Sequence, residues 1–250
     1  MSSPRPRRLV VLISGSGTNL QALISALNTP ALPQTQIVLV LSNRKAAYGL
    51  TRAQQASPPI PTAYLALQPY LKANPGKTRD DYDKEVAKIV LEANPDAVVL
   101  AGWMHVLGEG FLDLVKETPV INLHPALPGA FDGANAIERA FEAAKKGEIT
   151  KSGVMVHRVV KEVDRGEPLI VREVEIDIEG GDTLEMFEER IHKTEWEIIV
   201  QATRVVLDQV LPVQENGIFD LACAKAYHFL RLQRAAVVFS TQQVECGRSK

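Results

Sequence analysis

The sequence predicts an α/β fold: an open, mostly parallel, twisted sheet with flanking helices. Short apolar runs that end in small polar residues are typical of strands buried on both faces of a parallel sheet. Segments with helical spacing alternate with these runs, which favours right-handed βαβ units. From Ser152 the pattern changes to two β-rich runs around the turn residues 164–168, so an antiparallel β-hairpin region is expected near 152–176.

Each predicted strand is a short apolar run bounded by turn residues. The strands are residues 9–13, 36–41, 60–64, 96–100, 120–123, 153–160 and 169–176. The predicted helices show apolar residues at helical spacing, and they are residues 19–27, 45–56, 81–93, 135–146 and 183–210. Residues 68–78 contain Pro69, Pro75 and Gly76 and are predicted to form a loop. We expect one domain over 8–210 and an extension of uncertain structure over 211–250, where 221–238 could form one more helix.

Composition restricts the class of protein. A chain of 250 residues that is 46% apolar can bury a sizeable core. Its two cysteines, Cys223 and Cys246, form no CxxC pair and no disulfide framework, so a reducing, cytoplasmic setting is expected. No apolar run is long enough to span a bilayer. The basic residues 1–8 are expected to form a frayed arm, with a mitochondrial presequence as the alternative.

Charge is distributed unevenly along the chain. The net charge is −2, yet residues 1–79 carry nine Lys and Arg and no Asp or Glu. A basic half indicates anionic partners. Because no dense basic stripe with interleaved aromatic residues is present, small phosphorylated or carboxylated ligands are favoured over nucleic acid.

The motif Asn122-Leu123-His124-Pro125 is the strongest chemical signal. Side chains two apart on a strand point to one side, so the Asn122 amide and the His124 imidazole should face one space. Asp164 follows forty residues after His124 and could orient the imidazole, raise its pKa and hold it as an acid near neutral pH. With the amide as oxyanion donor, this set suits acyl transfer. The alternative for Asp164 is a purely local turn role.

The Ser14-Gly15-Ser16-Gly17-Thr18-Asn19 segment lies between the first strand and the first helix. Glycines let backbone N–H groups approach an anion, and a helix N-terminus adds partial positive charge, so a phosphate site is plausible. Leu20 occupies the third glycine position of a dinucleotide fingerprint, and no Walker A lysine follows. A plain strand–helix turn is the alternative.

Further candidates are single residues. Arg79 could pair with a carboxylate or phosphate, or be a solvated residue at a helix start. Residues 103–107 follow the fourth strand, where ligands of open α/β sheets bind, although core packing explains them equally well.

His157, alone on a strand, is interpreted as structural. Glu195 falls on an apolar helix stripe and needs a partner, either a buried ion pair or a ligand. No cluster has metal-ligand spacing, and no metal is expected.

Together these residues resemble the phosphoribosylglycinamide formyltransferase family, which formylates glycinamide ribonucleotide in purine synthesis. The motifs that carry the resemblance are ISGSGTNLQA at 13–22, LAGWM at 100–104, INLHP at 121–125 and the histidine at 157 followed by DRG at 164–166. The similarity covers residues 8–210. It implies a Rossmann-like formyltransferase domain with 10-formyltetrahydrofolate as co-substrate and no metal. It also implies a monomer or homodimer in the cytoplasm, with no nucleic-acid or membrane partner.

The resemblance also implies site residues. The phosphate would lie on Gly17, Thr18 and Asn19, and the nucleotide would contact His192 and Glu195. The folate would be bound by Arg79, Met104, His105, Val106, Leu107, Val160, Lys161, Glu162 and Val163. Asn122, His124 and Asp164 would be catalytic. The substrate amine would attack the formyl carbon, Asn122 and protonated His124 would stabilise the oxyanion, and protons would pass through His124 or a water held by Asp164.

The chain departs from the family pattern at three places: His105 stands where many relatives have arginine, residues 128–133 form an unusual loop, and Asn135 replaces a common histidine. Alternative functions are those of other formylfolate enzymes, namely formyltetrahydrofolate deformylase and methionyl-tRNA formyltransferase. A non-catalytic nucleotide-binding module would explain the glycine loop but leave Asn122, His124 and Asp164 unexplained.

Overall fold

The computed structural model describes residues 5–213, and a seven-stranded sheet lies at its centre. The strands are β1 Arg7–Ile13, β2 Thr35–Ser42, β3 Thr62–Tyr64, β4 Ala97–Leu100, β5 Val120–His124, β6 Lys151–Arg158 and β7 Pro168–Glu175. Their order in the sheet is β3-β2-β1-β4-β5-β6-β7. The first five strands are parallel, whereas β6 and β7 are antiparallel to their neighbours. The predicted fold class is confirmed, including the antiparallel region near 152–176.

Helices cover both faces of this sheet. They are α1 Thr18–Ala26, α2 Tyr48–Gln55, α3 Leu67–Ala73, α4 Arg79–Glu92, α5 Glu109–Val115, α6 Ala136–Lys145 and α7 Leu184–Val210. Strand β1 lies inside the sheet, and its residues 9–13 are all apolar. Leu9, Val11 and Ile13 pack in one core layer, and Val10 and Leu12 pack in the other. A strand buried on both faces has no side left for polar residues.

Two helices differ from the sequence-based expectation. The predicted loop over 68–78 is wrong at its start, because α3 occupies Leu67–Ala73. Pro69 lies in the first turn of α3, where a missing N–H breaks no helical hydrogen bond, so it does not interrupt the helix. Helix α5 was not predicted, and it is a seven-residue helix held by the buried side chains of Phe111 and Val115.

The last helix of the described chain agrees with the predicted long helix. Helix α7 spans Leu184–Val210, and the predicted helix covered 183–210. The possible helix at 221–238 and both cysteines lie outside the described residues. None of the helices in the described part combines the length and apolar character needed to cross a membrane.

Candidate active site

A cleft of about 290 Å³ opens beside the carboxyl end of β4 and the final residues of β5. Its walls come from four segments: 102–107 after β4, 122–125 at the end of β5, 133–136 before α6, and 159–164 between β6 and β7. Strand β4 ends at Leu100, paired with Asn122, whereas β5 continues to His124. The extra residues of β5 therefore lie in the cleft, as is usual for ligand sites of open α/β sheets.

The structure brings Asn122, His124 and Asp164 together. Both β5 side chains point to the same carboxylate: Asn122 Nδ2 lies 3.3 Å from Asp164 Oδ1, and His124 Nδ1 lies 3.5 Å from Oδ2. The Gly133 N–H donates to Oδ2 at 2.9 Å and fixes the carboxylate from a third side. Asp164 has a φ of +56°, a conformation that costs energy for a residue with a side chain. Such strain is typical of functional sites, where surrounding contacts hold a residue in place.

The Asp164 carboxylate stays ionised in this environment. Burial raises its pKa, but the hydrogen bond with His157, the Gly133 N–H and the nearby imidazoles of His124 and His157 lower it by more. The net result is a pKa below the usual value for aspartate. A permanent negative charge therefore faces His124 within the cleft.

The expectation that Asp164 raises the pKa of His124 above its ordinary value is wrong for the free cleft. Burial lowers the pKa of His124 most strongly, and the opposing effect of Asp164 does not overcome it. The nearby His157 lowers this pKa further, while the Phe131 backbone and Asp132 raise it. His124 is thus a neutral base at neutral pH. Its Nε2 is buried and has no hydrogen-bond partner among the described residues.

His157, interpreted from sequence as structural, belongs to the same cluster. It lies opposite Asn122 in the β5–β6 register, and its Nε2 is 3.1 Å from Asn122 Nδ2. Its Nδ1 donates to the Arg158 carbonyl at 2.9 Å. His157 Nε2 is also 3.4 Å from Asp164 Oδ1. His157 therefore orients both the amide and the carboxylate.

The unusual loop over 128–133 precedes the cleft wall formed by residues 133–136. Phe131 and Asn135 both have positive φ, 51° and 56°, and Asn135 is the N-cap of α6. Asp132 binds Arg165 at 2.6 Å, which joins this loop to the segment that carries Asp164.

The glycine loop after β1 is packed tightly against α2. Gly17 is the N-cap of α1, with a φ of +72° and no side-chain cap hydrogen bond. A Cβ on Gly17 would lie 2.6 Å from the Gly49 Cα, so no other residue fits without displacing the backbone. The loop leaves the first N–H groups of α1 without acidic neighbours in the first turn, an arrangement that favours an anion.

We expect Gly17→Ala to destabilise the protein by about 1–3 kcal/mol, because it adds both φ strain and a backbone clash. Thermal unfolding checks this change. Gly15→Ala is the matched control, since a Cβ at Gly15 meets nothing within 4 Å. Equal melting temperatures for the two variants would contradict the close packing described for Gly17.

Glu195 binds protein partners beside this loop. Its Oε2 accepts from Asn19 Nδ2 at 3.2 Å and from His192 Nδ1 at 3.1 Å, so the amide and the imidazole are neighbours. The hydrogen bond to Glu195 raises the pKa of His192, whose half-exposed ring is thereby favoured as a cation. The buried Glu195 thus has a protein partner, as one of the two alternatives expected, although His192 itself is half-exposed. This pair also places a positive charge close to the N-terminus of α1.

Arg52 is a further cation at the glycine loop that the sequence analysis did not single out. Its Nε donates to the Ser16 carbonyl at 2.9 Å, its Nη1 contacts Gln21 at 3.3 Å, and its guanidinium lies 5.0 Å from the Tyr48 ring centroid. Within residues 5–213, Arg52 has no carboxylate partner. The absence of acidic residues before Asp80 was the available signal.

The residues expected to bind folate surround the mouth of the cleft. Met104 and Val106 are exposed there, as are Val160 and Val163 on the opposite segment. Leu107 is buried in the core beside them.

Polar folate-site candidates bind other parts of the protein. Arg79 is exposed and donates to the Val106 carbonyl at 2.6 Å, outside the cleft lining. His105 turns its ring away, toward Asp83. Lys161 pairs with Glu109, and Glu162 lies on the cleft wall between Lys161 and Val163.

Within the described residues, no group of three or more His, Cys, Asp or Glu side chains is arranged to hold a metal ion.

Comparison with known proteins shows the family of the chain. The sequence model described as formyl transferase matches residues 7–203. Phosphoribosylglycinamide formyltransferase of Saccharomyces cerevisiae is 47% identical over 213 residues, 81% of this chain and 98% of the relative. That of Schizosaccharomyces pombe is 50% identical over 203 residues, 80% and 96% of the two chains.

Solved structures are similar as well. Glycinamide ribonucleotide transformylase 1 from Symbiobacterium toebii has a TM-score of 0.71 at 30% identity, covering 85% of this chain and 93% of its own. Phosphoribosylglycinamide formyltransferase from Coxiella burnetii has a TM-score of 0.68 at 36% identity, with 82% and 88% covered.

Proposed function

Since the chain belongs to the phosphoribosylglycinamide formyltransferase family, we propose that its cleft transfers a formyl group from 10-formyltetrahydrofolate to the amino group of N1-(5-phospho-D-ribosyl)glycinamide. The product is the N-formyl nucleotide of de novo purine synthesis. The observation that carries the proposal is the Asp164 carboxylate, which contacts Asn122, His124 and His157 in one apolar-mouthed cleft.

The nucleotide is proposed to bind at the glycine loop. The N–H groups of Gly17, Thr18 and Asn19 supply donors for the phosphate at the start of α1. Cationic His192 and the guanidinium of Arg52, which has no carboxylate partner among residues 5–213, supply the charge. Glu195 orients His192 and the Asn19 amide, and no hydrogen bond within the described chain reaches its Oε1, which is free for a ribose hydroxyl.

The formyl donor is proposed to bind at the mouth of the cleft. The pteridine ring of a folate carries its polar groups at the edge, and the exposed Met104, Val106, Val160 and Val163 can cover its faces. Leu107 forms the floor. Arg79, Lys161 and Glu162 are proposed to lie near the part of the folate beyond the pteridine ring. Arg79 acts by holding the Val106 carbonyl in place.

The reaction begins with attack of the substrate amine on the formyl carbon, which opens the carbonyl and forms a tetrahedral oxyanion. Asn122 Nδ2 donates to this oxyanion, in exchange for its longer bond to Asp164 at 3.3 Å. His124 begins neutral and takes the proton released by the amine on its free Nε2. Asp164 stabilises the resulting imidazolium across 3.5 Å. His124 then returns the proton to the departing folate nitrogen as the carbon–nitrogen bond breaks.

This mechanism predicts opposite titrations for two histidines of one protein. The His124 imidazole should titrate below 6.5, because burial lowers its pKa. The His192 imidazole should titrate above 6.5, because Glu195 raises its pKa. A pH series of ¹⁵N-imidazole NMR spectra measures both, with His124→Ala and His192→Gln as assignment variants. A His124 midpoint above 6.5 would contradict the neutral base in the mechanism.

The function is tested by following folate absorbance with and without the nucleotide. We expect strict dependence on glycinamide ribonucleotide. Equal turnover without an amine acceptor would instead identify a deformylase, and transfer only to methionyl-tRNA would identify that enzyme class. Binding of the nucleotide with no turnover under any of these conditions would support the non-catalytic module.

The proposal extends to organisation and location. Residues 8–210 form the formyltransferase domain, and 211–250 form an extension. The protein acts in the cytoplasm as a monomer or homodimer on two small molecules, without nucleic acid or membrane. Support for the cytoplasmic location comes from the two cysteines, which form no disulfide framework in the sequence.

A further inference from the structure

In the segment after β4, two well-exposed side chains alternate with two that are much less exposed. Met104 is 69% exposed and Val106 is 51% exposed, whereas the His105 side chain is 10% exposed and Leu107 is 5% exposed. Met104 and Val106 line the cleft mouth, and the chain bends at His105, whose ring turns inward to Asp83.

One carboxylate from α4 holds this segment at two points. Asp83 Oδ1 accepts from His105 Nε2 at 2.6 Å, and Asp83 Oδ2 accepts from the Gly108 N–H at 2.9 Å. The Asp83 side chain is only 2% exposed. A Cβ on Gly108 would lie 3.0 Å from Asp83 Oδ2, so the backbone approaches the carboxylate closely. Both oxygens are used, as a buried carboxylate requires.

Aromatic packing fixes the imidazole in the same orientation. The rings of Tyr82 and Trp103 meet His105 edge-on, with centroids at 5.1 Å and 6.3 Å. Edge-to-face contacts of this kind favour one ring plane. His105 thus has two aromatic neighbours and one charged partner, and its ring is turned toward the protein rather than toward a ligand.

We propose that the Asp83–His105 pair positions the side chains of Met104 and Val106. The pair thereby determines the affinity of the cleft for the pteridine ring of the formyl donor. The inference rests on the proposed function, because it assigns the ring to this mouth. His105 acts through its neighbours and does not contact the folate. An arginine at 105 would also offer a hydrogen-bond donor to Asp83, which makes His105→Arg a conservative variant.

The test compares His105→Phe, which keeps a ring but loses the bond to Asp83, with His105→Arg. Binding is measured with tetrahydrofolate, which carries no formyl group to transfer. Trp103 fluorescence reports binding in a Trp196→Phe background, since the chain has two tryptophans. We expect His105→Phe to weaken tetrahydrofolate binding about tenfold and to raise KM for the formyl donor similarly, with KM for the nucleotide unchanged. His105→Arg should remain within about threefold of wild type in both measurements, since it keeps a charged partner for Asp83.

Several results would overturn the inference. One is unchanged tetrahydrofolate affinity in His105→Phe, and another is an equal rise in KM for both substrates, which indicates general loss of structure. Equal weakening by His105→Arg and His105→Phe would also overturn it. If His105→Phe does not fold, His105→Ala is measured in its place. A wild type that binds tetrahydrofolate with this dependence on residue 105 but transfers no formyl group would reject the proposed function alone. A wild type that binds no tetrahydrofolate would reject both.

Discussion

His124→Ala should lower kcat for formyl transfer by about 10²–10⁴-fold, the usual effect of removing a positioned acid or base. His124 Nε2 is the free acceptor in the cleft and is the atom that takes the amine proton in the mechanism. KM for the nucleotide should change little, because the proposed phosphate donors lie at the glycine loop. Steady-state kinetics, with each substrate varied in turn, measures the effects on kcat and on KM separately.

The fold of the His124 variant must be checked separately, because the side chain is buried. Thermal unfolding should show a stable protein at the assay temperature. His124→Asn is a second variant that keeps a polar group in the same space but cannot take up the proton. Near-normal turnover by either folded variant would remove His124 from the mechanism.

Asp164→Asn should lower kcat by about 10²–10⁴-fold as well, since the carboxylate orients the base and stabilises its protonated form. The asparagine oxygen can still accept from the Gly133 N–H, so the segment should keep its place. The substitution should also change the pKa of His124, in a direction that the structure defines. Asp164 raises the pKa of His124, so its removal should move the His124 titration to still lower pH.

Asp132→Asn is the matched control for the Asp164 variant. Asp132 lies in the neighbouring loop, pairs with Arg165 and has the smallest effect on the pKa of His124 among the causes identified. Its replacement should change kcat much less than Asp164→Asn does. Equal losses in the two variants would mean that general loop order, rather than the Asp164 carboxylate, supports activity.

The local part of the site was predictable because it depends on strand geometry. Asn122 and His124 are two apart in an apolar run, so their common direction follows from the sequence. The apolar strands and the change of pattern at Ser152 similarly determined the sheet class. Asp164 could be named from the sequence as a candidate partner, but its approach to His124 depends on the path of the 159–167 segment.

What the sequence could not predict depends on tertiary contacts. His157 reaches Asn122 only because the antiparallel register of β6 sets them opposite each other. The lowered pKa of His124 comes from burial of its ring in the folded protein. Arg52 approaches the glycine loop because Gly17 and Gly49 allow α2 to pack closely. The inward turn of His105 required the position of Asp83 on α4.

In the proposed reaction, this cleft joins a folate-borne formyl carbon to a nucleotide amine, with His124 as the base. A single-turnover experiment with ¹³C-labelled formyl donor, resolved by NMR, measures that bond directly. The wild type should place the label on the nucleotide nitrogen, with none appearing as formate, and folded His124→Ala should do so at least about 10²-fold more slowly. Label released as formate regardless of nucleotide, or equal rates in both proteins, would contradict the account.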